Sequence, residues 1–295
     1  MISRLQRCYI AVMTKRIAII FHENEPKSSL PRFAVWHLAA SWREQNIQVL
    51  PVFGIRKFVP ADLALLHVDL TTVPQEYLDF ALRYPVVLNG RIKDIRKSSF
   101  SQHRVSRGDG YSGKVIVKSE LNYAGQPERK LLGTPLSRMA LRISSRFPAL
   151  TPAEATGPDF RKPGDYRIFD SSSSVPEAWF ERSDLLIERF LPEIEDGLYC
   201  LRSHHFMGDR GSCIIRRSRH PIVNAATSIS REEVAPDPEI VERTRQMGFD
   251  FGKFDYVLHE GKAVLLDTNK TPGAGKAAAF FVMCREWAKG IWQYF

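Results

Sequence analysis

The chain has 295 residues, 44% apolar and 25% charged, the proportions of an ordinary soluble globular protein with room for two or three subdomains. It holds no apolar run of roughly eighteen residues, which excludes a membrane-spanning helix, and its four cysteines (Cys8, Cys200, Cys213, Cys284) have neither metal-ligand nor disulfide-framework spacing, so a reduced, cytoplasmic protein is expected. A net charge of +9 and a pI near 9.4 fit anionic company, whether nucleic acid, an acidic polymer or a polyphosphate ligand, and fit a plain solvated basic surface equally well; there is no long basic tail and no aromatic RNA-binding motif.

In chain order, "MTKRIAIIF" from Met13 reads as the natural start of the fold, with residues 1–12 an extension. Its "KRIAIIF" is a buried strand, closed by the polar "HENEPKSS". "LPRFAVWHLAASWREQN" has helical spacing, with Phe33, Trp36, Leu38, Ala40 and Trp42 as the apolar set. "IQVLPVFG" and "ADLALLHVDL" are strands, "PQEYLDFALRYP" is a helix closed by Pro85, and "VVLNG" is a fourth strand. This alternation of strand and helix predicts a parallel sheet wrapped by helices over residues 13–92. The pattern then changes. "KDIRKSSFSQHRV" predicts a short basic helix, and "GKVIVKSE" a strand carrying a lysine. Residues 121–174 are irregular apart from a helix in "PLSRMALRISSRF". The expected central subdomain, residues 93–186, ends with the short helix "VPEAWFE". Residues 187–295 form the expected C-terminal subdomain. "DLLIERFL" is a strand leading into it, and "GLYCLRSHHFMGDRGSCIIRRS" holds two strands about a turn at "MGDRG". The helix "DPEIVERTRQMG" stops at Gly248, in the position of a C′ glycine. Two alternating strands turn at "HEGK", and "AAAFFVMCREWAKGIWQYF" is an amphipathic helix.

Chemistry concentrates in "FDYVLHEGKAVLLDTNKTPG". Positions i and i+2 of a strand share a face, so Asp267 and Asn269 project together. A hairpin about Glu260–Gly261 brings Asp255 opposite them. Two carboxylates and an amide carbonyl suit Mg²⁺, a hard ion that takes oxygen ligands at about 2.1 Å. An isolated D-x-N on a hairpin is more often a solvated polar edge. Here, however, Lys118 lies on an apolar strand before the loop "SELNYAGQPE", where an ammonium can neutralise phosphate oxygen. "LLIERFLPEIEDG" breaks from an apolar strand into an acidic turn whose backbone could read an adenine edge. "CIIRRS" places Arg216 and Arg217 on opposite faces of a strand, so one of them turns inward, and alternation alone does not say which.

This order of parts resembles the ATP-grasp superfamily, and is most similar to its peptide-ligase-like branches (glutathione synthetase, ribosomal-protein glutamate ligases, D-alanine ligases). The resemblance runs from about Arg16 to Gly273 and is strongest over the last third. It implies an α/β (α+β) ATP-grasp fold: an N-terminal parallel-sheet domain, a central lid subdomain and a C-terminal antiparallel-sheet subdomain. It implies ATP and Mg²⁺ (or Mn²⁺) as cofactors, with Asp255, Asp267 and Asn269 at the metal positions. Lys118 matches the strand lysine on the nucleotide phosphates, and Lys97 the family's earlier lysine. Glu188, Arg189, Phe190 and Leu191 resemble the adenine-reading hinge. Glu195 matches the ribose-binding acid, with Glu193 as its rival. Arg216 is the better match for the inward arginine that stabilises a transferring phosphate, with Lys118 as its partner in catalysis. Three features depart from the family pattern: the phosphate loop has only Gly125, Asp267 stands where Glu is commoner, and the stretch Arg129–Tyr166 is long and basic.

The activity implied is an ATP-dependent carboxylate–amine ligase acting through an acylphosphate. A small-molecule kinase on the same scaffold, or a non-catalytic nucleotide-binding module, are the alternatives. The expected partners are ATP, a small-molecule or peptide carboxylate and an amine acceptor of anionic character, with no membrane. A homodimer is left open.

Overall fold

The computed structural model describes residues 14–133, 160, 165–275 and 278–295. The extension 1–12, the start at Met13, Cys8, the helix expected in "PLSRMALRISSRF" and most of the basic stretch between Arg129 and Tyr166 lie outside the described residues.

The N-terminal third forms a parallel sheet in the order β2-β1-β3-β4, from β1 (Arg16–Phe21), β2 (Gln48–Phe53), β3 (Leu63–Leu66) and the short β4 (Val87–Leu88). β3 is buried throughout and β1 in all but its first residue, as strands covered on both faces must be. One face packs on α1 (Ala34–Glu44) and the other on α2 (Gln75–Ala81). The stripe that α1 buries is Val35, Leu38, Ala39 and Trp42, at helical spacing. This corrects the expected set: Ala40 faces solvent and Trp36 is only half-buried. The segment before α1, Lys27–Arg32, is a 3-10 turn.

A small antiparallel sheet, β6-β5-β7, follows: β5 (Val115–Ser119), β6 (Arg167–Phe169) and β7 (Leu185–Arg189). The predicted basic helix shrinks to one turn, α3 (Lys97–Phe100), because its flanks are used in isolated bridges, Thr72 with Asp94 and Arg104 with Glu188. Next along the chain come α4 (Gln126–Leu131) and α5 (Glu177–Phe180).

The third sheet is antiparallel, in the order β11-β10-β9-β12-β13, with β8 (Glu193–Glu195) pairing β9 off that path. Its long strands are β9 (Leu198–Met207), β10 (Arg210–Ser218), β12 (Phe251–His259) and β13 (Lys262–Asn269), with β11 (Ser230–Val234) at the edge. Glu260 and Gly261 both have positive φ, 50° and 76°, the two left-handed residues that a tight β12–β13 hairpin requires. α6 (Pro238–Gln246) is capped by the Asp237 side chain on Glu239 N, and Gly248 closes it at φ 75° as a C′ glycine. The last helix, α7 (Ala278–Ala288), packs on α1, and the Trp42 indole donates to Ala288 O at 2.9 Å.

Two ties join this sheet to the parallel one. The Asn89 amide, at the end of β4, accepts from Asp250 N (2.9 Å) and Phe251 N (3.1 Å) and donates to Phe251 O (2.9 Å), which fixes the start of β12. After β13, Ala34 N donates to Pro272 O and Ala274 N to Arg32 O, so the "KTPG" turn is zipped onto the entrance of α1. The expected α/β organisation, with a parallel sheet at the N-terminal end and an antiparallel sheet at the C-terminal end, is therefore present, and a small antiparallel sheet stands between them in the chain. Among the described residues no helix is long and apolar enough to cross a membrane.

Candidate active site

Asp255 and Asp267 are direct cross-strand partners in the β12–β13 ladder, and the next site-face pair along the hairpin is Lys253 opposite Asn269. Partners in register share a face. Gly252 allows the two strands to close up here, because a Cβ at that position would meet Asn269 O at 2.8 Å. Facing carboxylates repel one another unless a cation lies between or beside them.

Each acid is handled differently. Asp255 Oδ1 accepts from Ser203 Oγ at 2.6 Å, and its Oδ2 lies 2.6 Å from Lys253 Nζ. Burial pushes this carboxyl towards the neutral form. Lys253, with the Ser203 hydrogen bond, more than offsets it and holds the group below the usual carboxylate range. Asp267 Oδ1 is buried with no hydrogen-bond partner, its nearest cation being Lys97 Nζ at 3.5 Å. Asn269 Oδ1 accepts from Thr271 N at 2.8 Å, while the Thr271 hydroxyl passes on to Asp69 Oδ1 at 2.6 Å.

The cations come from the neighbouring elements. Lys97, at the start of α3, is 1% exposed and also donates to Leu121 O at 3.2 Å. Burial disfavours its charge, but Asp267 first, then Tyr166 and Glu188, hold it protonated, above the ordinary lysine range. Lys118, on β5, lies 2.5 Å from Glu188 Oε2 and donates to Leu266 O at 3.4 Å, so it bridges the small sheet to β13 beside Asp267. Glu188 is buried, and its side chain serves as the Lys118 counter-ion. That role adds to the backbone one expected of the Glu188–Leu191 segment. Phe190 N is already engaged, donating to Lys114 O at 2.8 Å, and Arg189 stacks over Tyr111.

The register settles which arginine turns to the site. Arg216 Nη1 donates to Ser203 Oγ at 3.2 Å, which links it through one hydroxyl to Asp255. Arg217 takes the opposite face, bound to Glu195 at 2.8 Å and Glu232 at 2.9 Å. Glu195 and Glu193 are both tied to Arg202, at 3.1 and 2.6 Å, on the face that Arg217 takes, so the two acids expected at the ribose lie on the sheet face opposite Asp255 and are not brought to the site. Together with Cys200 they form a compact cluster of metal-ligand types, but Arg202 and Arg217 already neutralise it. Lys253 was not singled out from the sequence. Its position two residues before Asp255, on the same strand face, was the signal available.

The loop before α4 departs from regular backbone. Tyr123, Ala124 and Gly125 are successively left-handed, at φ 47°, 56° and 69°. Two of the three carry side chains, a conformation that L residues rarely adopt. Below the hairpin, Lys270 is fully buried. Burial pushes its pKa down to about 8, against the pull of Asp69, Glu128 and Asp94. The "KTPG" turn thus anchors the strand end to the parallel sheet rather than merely leading the chain away from it.

These side chains fit a hard divalent cation. The candidate ligands are all oxygens, and one of them, Asp267 Oδ1, is a buried acceptor with no donor.

No protein-family model matches the sequence, and no curated protein matches it. Among solved structures the chain is similar to the D-alanine–D-alanine ligase from Bacillus anthracis, at 12% identity over 95% of this chain and 99% of that one, with a TM-score of 0.41. It is similar to a RimK domain ATP-grasp protein from Sphaerobacter thermophilus DSM 20745, at 11% identity over 94% and 99%, TM-score 0.45. It is also similar to the VanG D-Ala:D-Ser ligase from Enterococcus faecalis, at 12% identity over 96% and 100%, TM-score 0.44.

Proposed function

We propose that the chain is an ATP-grasp enzyme, an ATP- and Mg²⁺-dependent carboxylate–amine ligase that proceeds through an acylphosphate. The observation that carries this reading is the convergence on one buried, undonated oxygen. Asp267 Oδ1 faces Asp255 across the hairpin and has Lys97 at 3.5 Å, while Lys118 reaches the adjacent Leu266 carbonyl. A buried carboxylate oxygen with no hydrogen bond, beside two buried ammoniums, suits a metal-bound polyphosphate.

In this reading Asp255, Asp267 and Asn269 hold the metal, which neutralises charge on the phosphate oxygens when bound. Lys97 and Lys118 hold the triphosphate. Both are pre-organised, since each is buried and already held by a carboxylate and a backbone carbonyl. Glu188 to Leu191 line the adenine side, while Glu193 and Glu195, committed to Arg202 and Arg217 on the opposite sheet face, take no part in this reading. Arg216, fixed by Ser203, meets the charge that develops as the γ-phosphate passes to the substrate carboxylate. An amine then attacks the acyl carbon, and phosphate leaves.

The test is product analysis with Mg-ATP and pooled carboxylates and amines. A ligase consumes an amine and releases ADP and free phosphate. A phosphorylated hydroxyl product without free phosphate identifies a kinase. Tight nucleotide binding with no turnover on any pool identifies a binding module, and either result overturns the reading.

A further inference from the structure

We propose that Arg216 and Arg231 form a subsite for a second anionic group on the acid substrate, a carboxylate or a phosphate, separate from the group that is activated. The proposal relies on the ligase reading only for the identity of the molecule that carries the anion.

The two arginines are direct partners in the β10–β11 ladder, so both project from the same sheet face as Ser203 and Asp255. Like charges directly opposite one another are destabilising. The strain registers on Arg216: burial lowers its pKa, and Arg231 lowers it further, against Asp255. No carboxylate among the described residues ion-pairs with either guanidinium, and the oxygens of Asp255 are taken by Ser203 and Lys253. The reverse holds on the other face of the same strands. There Arg217 binds Glu195 and Glu232, and Arg202 binds Glu193 and Glu195. Among the described residues, carboxylates thus go to Arg202 and Arg217 and not to this pair.

Position decides what the pair receives. The strand order β11-β10-β9-β12-β13 puts the acids at one side of the face and Arg231 at the other. Adjacent strands lie about 4.8 Å apart, so three steps separate Arg231 from Asp255 by roughly 14 Å of backbone, shortened by the reach of the side chains. Lys97 and Lys118 approach on the β13 side, so Arg216 stands between the transferring phosphate and Arg231, and the outer end of the pair is left for the acid substrate rather than the nucleotide. Arg231 is exposed and Arg216 half-buried, so the site is open to entry at one end and desolvated at the other. Two guanidiniums side by side match planar carboxylate or phosphate through paired N–H donors. The substrate class is thus an elongated acid with two anionic ends.

The test is calorimetric titration of the full chain with inorganic phosphate and with α,ω-dicarboxylates from malonate to adipate, each compared with its monomethyl ester. Titrations are run with and without Mg²⁺ and a non-hydrolysable ATP analogue. The expected result is that at least one dianion binds more tightly than its ester. Arg231→Gln then weakens it about tenfold and Arg231→Lys restores part of the loss, while analogue affinity changes less than about twofold. Wild-type affinity in Arg231→Gln overturns the proposal, as does failure of every probe to bind. A parallel loss of analogue affinity also overturns it, by assigning the pair to the nucleotide phosphates. If the dianion binds through Arg231 but the Mg-bound analogue never binds, the subsite stands and the ligase reading falls.

Discussion

The two faces of the third sheet carry opposite electrostatic designs on shared backbone. On one face Arg202, Arg217, Glu193, Glu195 and Glu232 form a closed network. On the other, Asp267 Oδ1 has Lys97 at 3.5 Å but no hydrogen bond, and two arginines stand opposed with no carboxylate paired to them among the described residues. Strand alternation makes this possible, since residues one apart, such as Arg216 and Arg217, share no environment at all. Neutralised charge contributes to the fold. Charge left unsatisfied in a folded chain is destabilising, and its persistence on one face marks where ligands complete the set.

The sharpest way to break this contrast is on the unsatisfied face. Asp255→Asn or Asp267→Asn should reduce Mg-ATP turnover on the order of a thousandfold. Both variants keep their volume, so thermal melting should show a folded protein. Turnover within threefold of wild type in both variants would remove these positions from the metal site. The next largest effect is on stability. Lys118→Met strands the Glu188 carboxylate in a buried site, which should cost about 3 kcal/mol in urea unfolding. Adding Glu188→Gln to the same chain should recover much of that. If the double variant is no more stable than Lys118→Met alone, the two groups are not a buried pair.

These partners also show how far the sequence could be read. The long strands and the hairpin turn at Glu260–Gly261 were legible because alternation and turn chemistry act over a few residues. Asp255, Asp267 and Asn269 were legible because their spacing within one hairpin fixes their shared face. The edge strand β11, "SREEV", was not, because four of its five residues are exposed and no apolar period marks it. The choice between Arg216 and Arg217 stayed open until the register against Ser203 fixed it. Lys97 meets Asp267 only through the packing of α3 on β13, elements far apart in the chain. Glu188 was read for its backbone, while its side chain's partner lies on another strand.

A smaller effect separates the adjacent arginines. Arg217→Gln removes a partner from Glu195 and Glu232 and should lower stability by roughly 1 kcal/mol at most, the pairs being partly exposed. Arg216→Gln should leave stability unchanged or slightly higher, since it relieves the opposition with Arg231, while lowering turnover. Parallel urea titrations and steady-state rates on the two variants check this. Equal losses of stability would mean that the two faces are not distinct.

The smallest predicted effect tests the contrast by erasing it. Arg231→Glu places a carboxylate opposite Arg216, as Glu232 stands beside Arg217 on the other face. A cross-strand ion pair then replaces a cross-strand repulsion, and the fold should gain about 0.5 kcal/mol, read as a raised urea midpoint at low salt. The gain should shrink as ionic strength rises towards 1 M, because exposed charges are screened within a few ångströms there. The same variant should lose dianion binding, since Arg216 would then have an internal partner. A more stable protein that binds less is the signature of a pair kept apart for a ligand. A destabilised variant would mean that Arg231 has a structural role, and that its exposure on this face is incidental.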